Sequence, residues 1–207
     1  SISNTTYWDS ASGSDVITSA KSYIPEQVWN DDSSSTASQY GAEYALSSAG
    51  GGASIYTARP SWQSGVTGIS SGSYRLVPDI SLDSSPSNAG YLYCSSDSTA
   101  NGITGSCSNG FRDSSDQYLT VAGGTSFAAP IFAGMLAIIN QKENSTGQGL
   151  INSTLYTLAA NSSTYSSAFH DVTSGGNECT AGSSYCSSAG ESKYYAGTGY
   201  DEASGLG

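Results

Sequence analysis

The most strongly patterned stretch of this chain is Tyr118–Lys142, which reads YLTVAGGTSFAAPIFAGMLAIINQK. It begins with a short β-like run, turns at two glycines and continues as an apolar segment. From Phe127 to Ile139 apolar residues cover every face of a 3.6-residue repeat, so the pattern predicts a helix that is buried all round. At about 15 residues the predicted helix is too short to span a bilayer.

Ser126 lies where the glycine turn passes into the predicted helix. Pro130 fits this placement, because the first amide groups of a helix have no intrahelical acceptor and a missing N–H costs little. The Ser126 hydroxyl would then stand at the positive end of the helix, beside free N–H groups that can stabilise an oxyanion. Ser126 is therefore a candidate nucleophile. The alternative is a serine that only caps a core helix, the ordinary role of a serine before an apolar run.

The composition is that of an acidic chain with few charged residues. Its 207 residues include 6 Lys and Arg against 17 Asp and Glu, a formal net charge of −11. We therefore expect neither nucleic acid nor membrane as a partner, because phosphate binding needs a basic surface and no transmembrane run is found. The length allows one sizeable core and requires no second domain. A chain that depends little on ion pairs suits an acidic extracellular medium.

The cysteines and the glycosylation sequons indicate a secreted protein. Four cysteines fall in two close pairs, Cys94 with Cys107 and Cys179 with Cys186, each in a Gly/Ser-rich loop. Local disulfides are the natural interpretation and imply an oxidising compartment, although four cysteines permit three connectivities. Outside bacteria, N-x-S/T sequons favour a secreted, glycosylated protein. Such sequons begin at Asn4, Asn144, Asn152 and Asn161.

The remaining patterns complete the predicted fold. A buried strand with a polar end is predicted over residues 74–83, and it carries Asp79 and Asp83. Two close carboxylates could be catalytic, but the favoured interpretation is a structural pair hydrogen-bonded to loop amides. Residues 151–160 predict a second, shorter helix. Because strands and helices alternate around the central stretch, we predict an α/β domain with a mainly parallel sheet flanked by helices.

The segment GGTSFAAP, residues 123–130, resembles the G-T-S-x-x-x-P nucleophile motif that subtilisin-like peptidases share with the sedolisin (serine-carboxyl peptidase) family. Other landmarks occur in the order found in sedolisins, over nearly the whole chain. They are VWND at 28–31, GGG at 50–52, PSWQ at 60–63 and VPDIS at 77–81. The resemblance implies a subtilisin-like α/β fold and identifies residues 1–207 as the C-terminal portion of a single peptidase catalytic domain.

The most specific part of the resemblance lies near the C-terminus. HDVT at 170–173 and GTGYD at 197–201 resemble the two sedolisin segments that wrap one structural calcium ion. Calcium prefers six or more oxygen ligands on a chain that bends sharply, and carboxylates and glycine carbonyls meet that need. The alternative is a pair of aspartates that cap turns. The ligands that the resemblance implies for a C-terminal calcium-binding loop are Asp171, Val172, Gly197, Gly199 and Asp201.

By the same resemblance, Ser126 is the nucleophile of a secreted, acid-acting endopeptidase or tripeptidyl peptidase that forms an acyl-enzyme with a peptide or denatured protein. Sedolisins use a glutamate as base, orient it with an aspartate, and place another aspartate in the oxyanion hole. A carboxylate can accept a proton at about pH 4, where histidine is already a cation. In the family's order these carboxylates precede Ser1, so we expect the preceding N-terminal segment of the same precursor as a partner.

Other acidic residues and the one histidine do not replace these groups. Glu26 and Glu43 lack an aspartate four residues later, and His170 belongs to the calcium-type segment. Two alternatives remain open. One is a subtilisin-like peptidase with Asp and His upstream, which activity at neutral pH would favour. The other is a non-catalytic secreted domain on the same fold, against which the intact nucleophile motif argues.

Overall fold

The computed structural model describes residues 5–9, 20–32, 46–97, 99, 106–179 and 194–207. The strands of this part of the chain come first. They are β1 (Gly52–Ala58), β2 (Tyr74–Val77), β3 (Tyr91–Leu92) and β4 (Val121–Ala122). The α-helices follow as α1 (Thr125–Lys142), α2 (Asn152–Ala159) and α3 (Ser162–Ala168), and a 3₁₀ helix, Ser61–Gln63, lies between β1 and β2. None of the described helices has the length and apolar character needed to cross a membrane.

Both described strand pairs are antiparallel. In one, β1 pairs with β2 and Gly52 lies opposite Val77; in the other, β3 pairs with β4 and Tyr91 lies opposite Ala122. The predicted mainly parallel sheet, with alternating strands and helices, is therefore wrong for the described residues. Parallel neighbours need a crossover connection, which is usually a helix. The α-helices of the described part all follow β4, so the strands before them pair without such a crossover.

The main core joins β2, α2 and the C-terminal segment. Its buried side chains are Val66, Leu76, Leu155, Tyr156, Ala159, Tyr200 and Leu206. The Leu206 N–H donates to the Asp79 carbonyl (2.8 Å), and the Leu206 carbonyl accepts from the Tyr165 hydroxyl (2.9 Å). The predicted second helix is confirmed as α2, with Leu155 buried. The C-terminal segment is therefore part of the core rather than a surface tail.

The long helix α1 is not buried, which corrects the prediction made from its apolar sequence. No residue of α1 is buried, and Met135 and Ile138 are 43% and 67% exposed. Phe132 packs against the main core and Phe127 stacks on Tyr91. An apolar surface is suited to burial, but burial also needs a second surface. No described strand or helix covers the rest of α1.

Asp79 has the structural role that the sequence analysis favoured, although its partners are side chains rather than loop amides. Its carboxylate accepts hydrogen bonds from Arg75 Nη2, from Asn152 Nδ2 (2.8 Å) and from the Tyr156 hydroxyl (2.8 Å). The Arg75 and Asp79 side chains are only 15% and 18% exposed. This network ties the end of β2 to α2. Asp83 takes no part in it, so the two carboxylates do not act as a pair.

The described residues include one of the two predicted disulfides. Cys94 and Cys107 are bonded to each other, which confirms local pairing for the first cysteine pair. Cys179 is also disulfide-bonded, whereas Cys186 lies outside the described residues. On the chain-entropy model, closing a loop as short as that between Cys94 and Cys107 stabilises the fold by about 3 kcal/mol.

Candidate active site

Ser126 is exposed and lies in the first turn of α1. The capping position before the helix belongs to Gly124, whose φ of 104° and ψ of 158° suit glycine. No side chain caps this end of α1. The alternative of Ser126 as a helix-capping serine therefore does not apply. An exposed hydroxyl beside uncapped helix N–H groups has the setting of a nucleophile with oxyanion donors nearby.

The loop of residues 83–90 packs against the glycine turn that precedes Ser126. The Gly124 N–H donates to the Ser84 carbonyl at 2.6 Å. A Cβ added to Gly123 would lie 2.5 Å from the Ser84 carbonyl oxygen and 2.5 Å from the Pro86 nitrogen, closer than any real contact. Close packing against main-chain atoms therefore requires glycine at position 123.

Tyr91 holds the turn from its other side. Its ring stacks on the ring of Phe127, with centroids 5.0 Å apart and planes 6° from parallel. The Tyr91 hydroxyl donates to the Asp83 carbonyl at 2.7 Å, and the Tyr91 main chain pairs with Ala122 in β4. Tyr91 therefore connects the strand before Ser126, the residue after it and the loop of residues 83–90.

Asp31 anchors the same loop, a role that the sequence analysis missed. Its carboxylate accepts hydrogen bonds from Ser85 Oγ, Asn88 Nδ2 and Trp29 Nε1, each at 2.7 Å. Residues 28–31 were noted only as a landmark of the resemblance. Ser85 and Asn88 lie 54 and 57 residues after Asp31, so no local pattern reveals these contacts.

Acidic side chains lie near this loop. Burial, and then the negative charge of Glu26, raise the pKa of Asp83. Glu26 itself accepts a hydrogen bond from the Tyr23 hydroxyl at 2.9 Å. Among the described residues, the Ser126 hydroxyl forms no hydrogen bond with a carboxylate or an imidazole. His170 instead stacks on Tyr23, with ring centroids 3.6 Å apart.

The structure gathers the predicted calcium ligands into one loop region at the C-terminus. Asp171 Oδ2 accepts from the Gly199 N–H, and Asp201 Oδ2 accepts from the Gly197 N–H, both at 3.0 Å. Val172 follows Asp171 and is buried in the second hydrophobic cluster. Gly199 has a φ of +83°, and a Cβ there would lie 2.4 Å from the Thr67 carbonyl oxygen, so only glycine fits.

Asp171 has an oxygen that suits a calcium ion, whereas Asp201 also caps a turn, as in the alternative interpretation: its Oδ1 accepts from the N–H groups of Ala203 (2.8 Å) and Ser204 (2.7 Å). Asp171 Oδ1 is buried and has no hydrogen-bond partner, which is costly for a carboxylate oxygen unless a cation lies nearby. The carbonyl oxygens of Val172, Gly197 and Gly199 accept no main-chain hydrogen bond from the described residues. In those residues no group of three or more His, Cys, Asp or Glu could hold a metal. Carbonyl oxygens would therefore have to complete a site built on two aspartates.

Comparison with known proteins identifies the family. Residues 10–177 match the model of the subtilase family, which covers most of the chain. This chain belongs to the subtilase family. The match agrees with the nucleophile motif around Ser126, and it supports the predicted α/β fold class.

The similar proteins within the subtilases are of the sedolisin type. This chain is 35% identical to xanthomonalisin of Xanthomonas sp. (strain T-22) over 196 residues, which is 94% of this chain and 19% of that protein. It is 35% identical to sedolisin of Pseudomonas sp. (strain 101) over 190 residues, which is 92% of this chain and 25% of that protein. For kumamolisin of Bacillus sp. (strain MN-32) the identity is 31% over 202 residues, covering 94% and 28%. The subtilase chain thus spans about a quarter of the length of these relatives.

A solved structure is also similar to this subtilase chain. It is Pseudomonas sedolisin, a serine-carboxyl proteinase, complexed with two molecules of pseudo-iodotyrostatin. The TM-score is 0.58 at 32% identity, and the match covers 89% of this chain and 38% of the sedolisin chain. The predicted resemblance to the sedolisin family is therefore confirmed.

Proposed function

We propose that this subtilase chain is the nucleophile-bearing part of a secreted, acid-acting, calcium-stabilised serine-carboxyl peptidase. The observation that carries the proposal is the exposed Ser126 at the uncapped start of α1, within a G-T-S-x-x-x-P motif. The similar solved protein is described as a serine-carboxyl proteinase in complex with pseudo-iodotyrostatin. This description supports proteins and peptides as substrates. In the proposed function the substrate is a peptide or denatured protein, cut either internally or from an end as tripeptides.

In the proposed reaction, Ser126 Oγ attacks the carbonyl carbon of the scissile peptide bond and its proton passes to a glutamate of the preceding segment. N–H groups at the start of α1 and a protonated aspartate of that segment stabilise the oxyanion. Collapse of the tetrahedral intermediate breaks the C–N bond, the glutamic acid protonates the leaving amine, and an acyl ester remains on Ser126. Water then hydrolyses the ester. Gly123 and Tyr91 contribute by holding the turn that presents Ser126.

Asp83 favours stability of the fold in acid. Its raised pKa means that the folded protein holds a proton on this carboxyl at a higher pH than the unfolded chain does. The stability that this group contributes is therefore fully present below its ordinary pKa and is lost as the pH rises through the raised value. Asp83 is exposed, so this contribution to stability is small; the residue lies in the loop that packs against the glycine turn.

The exposed side of α1 supports the proposed partner, which is the preceding segment of the same precursor with its glutamate and two aspartates. Met135, Ile138 and Ile139 leave apolar surface open to solvent on a helix whose first turn carries Ser126. A helix that is apolar on all sides normally lies inside a larger protein. The segment that brings the catalytic carboxylates to Ser126 would therefore also cover this helix.

Secretion is supported by the disulfide chemistry. Cys94 and Cys107 are bonded, and no described cysteine is a free thiol. Structural disulfides persist in oxidising compartments and are rare in the cytosol.

The proposed function is tested by the pH dependence of cleavage of a denatured protein by the intact protein. We expect the highest rate at about pH 4, where a carboxylate base is available and histidine is protonated. A maximum at neutral or alkaline pH would instead indicate a subtilisin-like enzyme with Asp and His upstream. No cleavage at any pH would indicate a non-catalytic domain, provided that the sample melts cooperatively.

Removal of calcium should destabilise the protein. The proposed ion would tie Asp171 and Val172 to the loop that carries Gly197, Gly199 and Asp201. A ligand that binds only the folded state stabilises it by mass action, so we expect excess chelator to lower the melting temperature by about 5 °C or more.

The control for the chelation experiment is a matched pair of substitutions. Asp171→Asn, which changes the orphaned carboxylate, should abolish the chelator effect. Asp116→Asn changes an exposed carboxylate far from this loop in sequence and should leave the effect intact. An unchanged melting curve of the unsubstituted protein in excess chelator would refute the site.

A further inference from the structure

Three of the four sequons lie in the described residues, and the structure treats their asparagines differently. Asn144 and Asn161 are exposed, whereas Asn152 is partly buried. Asn4 lies outside the described residues. Attachment of an N-glycan uses the side-chain nitrogen, Nδ2, so the surroundings of that atom determine whether a folded protein can carry the sugar.

The Nδ2 atom of Asn152 forms a hydrogen bond within the fold. This atom donates to Asp79 Oδ2 at 2.8 Å, in the network that includes Arg75 and Tyr156. A sugar on Nδ2 would have to extend from a partly buried contact between β2 and α2. The sugar would replace one of the two Nδ2 hydrogens and would need space at this partly buried contact, so we expect that a chain modified there does not pack β2 against α2 and does not reach the folded state.

Asn161 offers the opposite arrangement. Its Oδ1 accepts from the N–H groups of Ser163 (3.0 Å) and Thr164 (3.3 Å), which caps the start of α3. Glycosylation leaves Oδ1 unchanged, so a sugar on Nδ2 is compatible with this cap.

Asn144 lies just beyond the C-terminal end of α1 with a φ of +51°. Its main-chain N–H donates to the Gln141 carbonyl. Its side chain is exposed and forms no hydrogen bond with a described residue, so a sugar there would displace no partner. The polar sequence around it, KENSTGQ, offers no apolar surface for burial.

We propose that the protein, made in a eukaryotic secretory pathway, carries N-glycans at Asn144 and Asn161 and none at Asn152. In the transfer, Asn Nδ2 forms a bond to C1 of the donor sugar, the bond from C1 to a lipid diphosphate breaks, and the amide loses a proton. The proposal rests on the secretion included in the proposed function.

The test is a map of glycan occupancy on the intact protein secreted from a eukaryotic host. Peptide N-glycosidase in water labelled with heavy oxygen converts each glycosylated Asn to labelled Asp, which mass spectrometry locates. We expect complete or nearly complete label at Asn144 and Asn161 and none at Asn152. Label at Asn152 in protein that unfolds cooperatively, or an unlabelled Asn144 or Asn161, would overturn the proposal.

Substitutions of the hydroxyl residue provide matched controls, because they destroy a sequon and keep its asparagine. Thr146→Ala and Ser163→Ala should each lower the apparent mass of the protein on a gel by the mass of one glycan. Thr154→Ala, which destroys the Asn152 sequon, should change nothing. The readout is independent of hydrolysis, so an inactive protein with both glycans would contradict the proposed peptidase and leave the glycan assignment standing.

Discussion

Ser126→Ala in the intact protein should lower the rate of peptide hydrolysis by at least about 10⁴-fold, because the variant has no oxygen to form the acyl-enzyme. The fold should be unchanged. Ser126 is exposed, and among the described residues its hydroxyl has no hydrogen-bond partner to lose. No side chain caps the helix end that it occupies, where the capping position belongs to Gly124. The measurement is cleavage of a denatured protein at acid pH, with the melting temperature recorded on the same sample.

The matched control is Ser162→Ala, which removes an exposed serine hydroxyl from the first position of another helix, α3. This variant should keep full activity. Turnover by Ser126→Ala equal to that of the control would exclude Ser126 as the nucleophile. Loss of activity together with a lower melting temperature would indicate a structural role for the hydroxyl instead.

Asp79→Ala should destabilise the protein by about 3–5 kcal/mol, the usual cost of breaking a buried ion pair from one side. The substitution leaves the Arg75 guanidinium without its carboxylate in a site where both side chains are largely buried. It also removes the acceptor of the hydrogen bonds from Asn152 and Tyr156. The measurement is the midpoint of denaturant unfolding, with the slope compared between variants.

The chain contains a second Arg–Asp pair with the same spacing, which serves as the control. Arg112 and Asp116 lie 3.7 Å apart, but their side chains are 44% and 75% exposed. Exposed ion pairs contribute little, so Asp116→Ala should shift stability by less than about 1 kcal/mol. Equal effects of Asp79→Ala and Asp116→Ala would show that the Asp79 network does not hold β2 to α2.

Predictions from local sequence succeeded where neighbours along the chain supply the physical cause. The glycine turn, the start of α1 and the second helix depend on backbone freedom and periodicity within a few residues. The pairing of Cys94 with Cys107 spans a separation of 13 residues. The glycine turn and the apolar run of residues 123–139 placed Ser126 at the start of a helix, where the structure has it.

Predictions failed where a structural feature depends on residues that are distant in the sequence. The parallel sheet was inferred from an alternation of strands and helices that the described residues do not have. The burial of α1 was inferred from its own composition, but burial depends on whether another surface lies against it. Asp31 was given no role, because the side chains that it binds in the loop of residues 83–90 are more than 50 residues away.

Local sequence accounts for the turn that presents Ser126, for α1 and α2, and for the types of residue available as nucleophile and calcium ligands, whereas α3 was not predicted. Tertiary contacts alone distinguish residues of the same type that have different roles. Asp79 belongs to a hydrogen-bond network and Asp83 does not. The side-chain amide of Asn152 donates to Asp79, whereas Asn161 is exposed. Hydrogen bonding and burial depend on contacts between residues that are far apart in sequence, whereas the periodicity of a sequence indicates only contacts between residues a few positions apart.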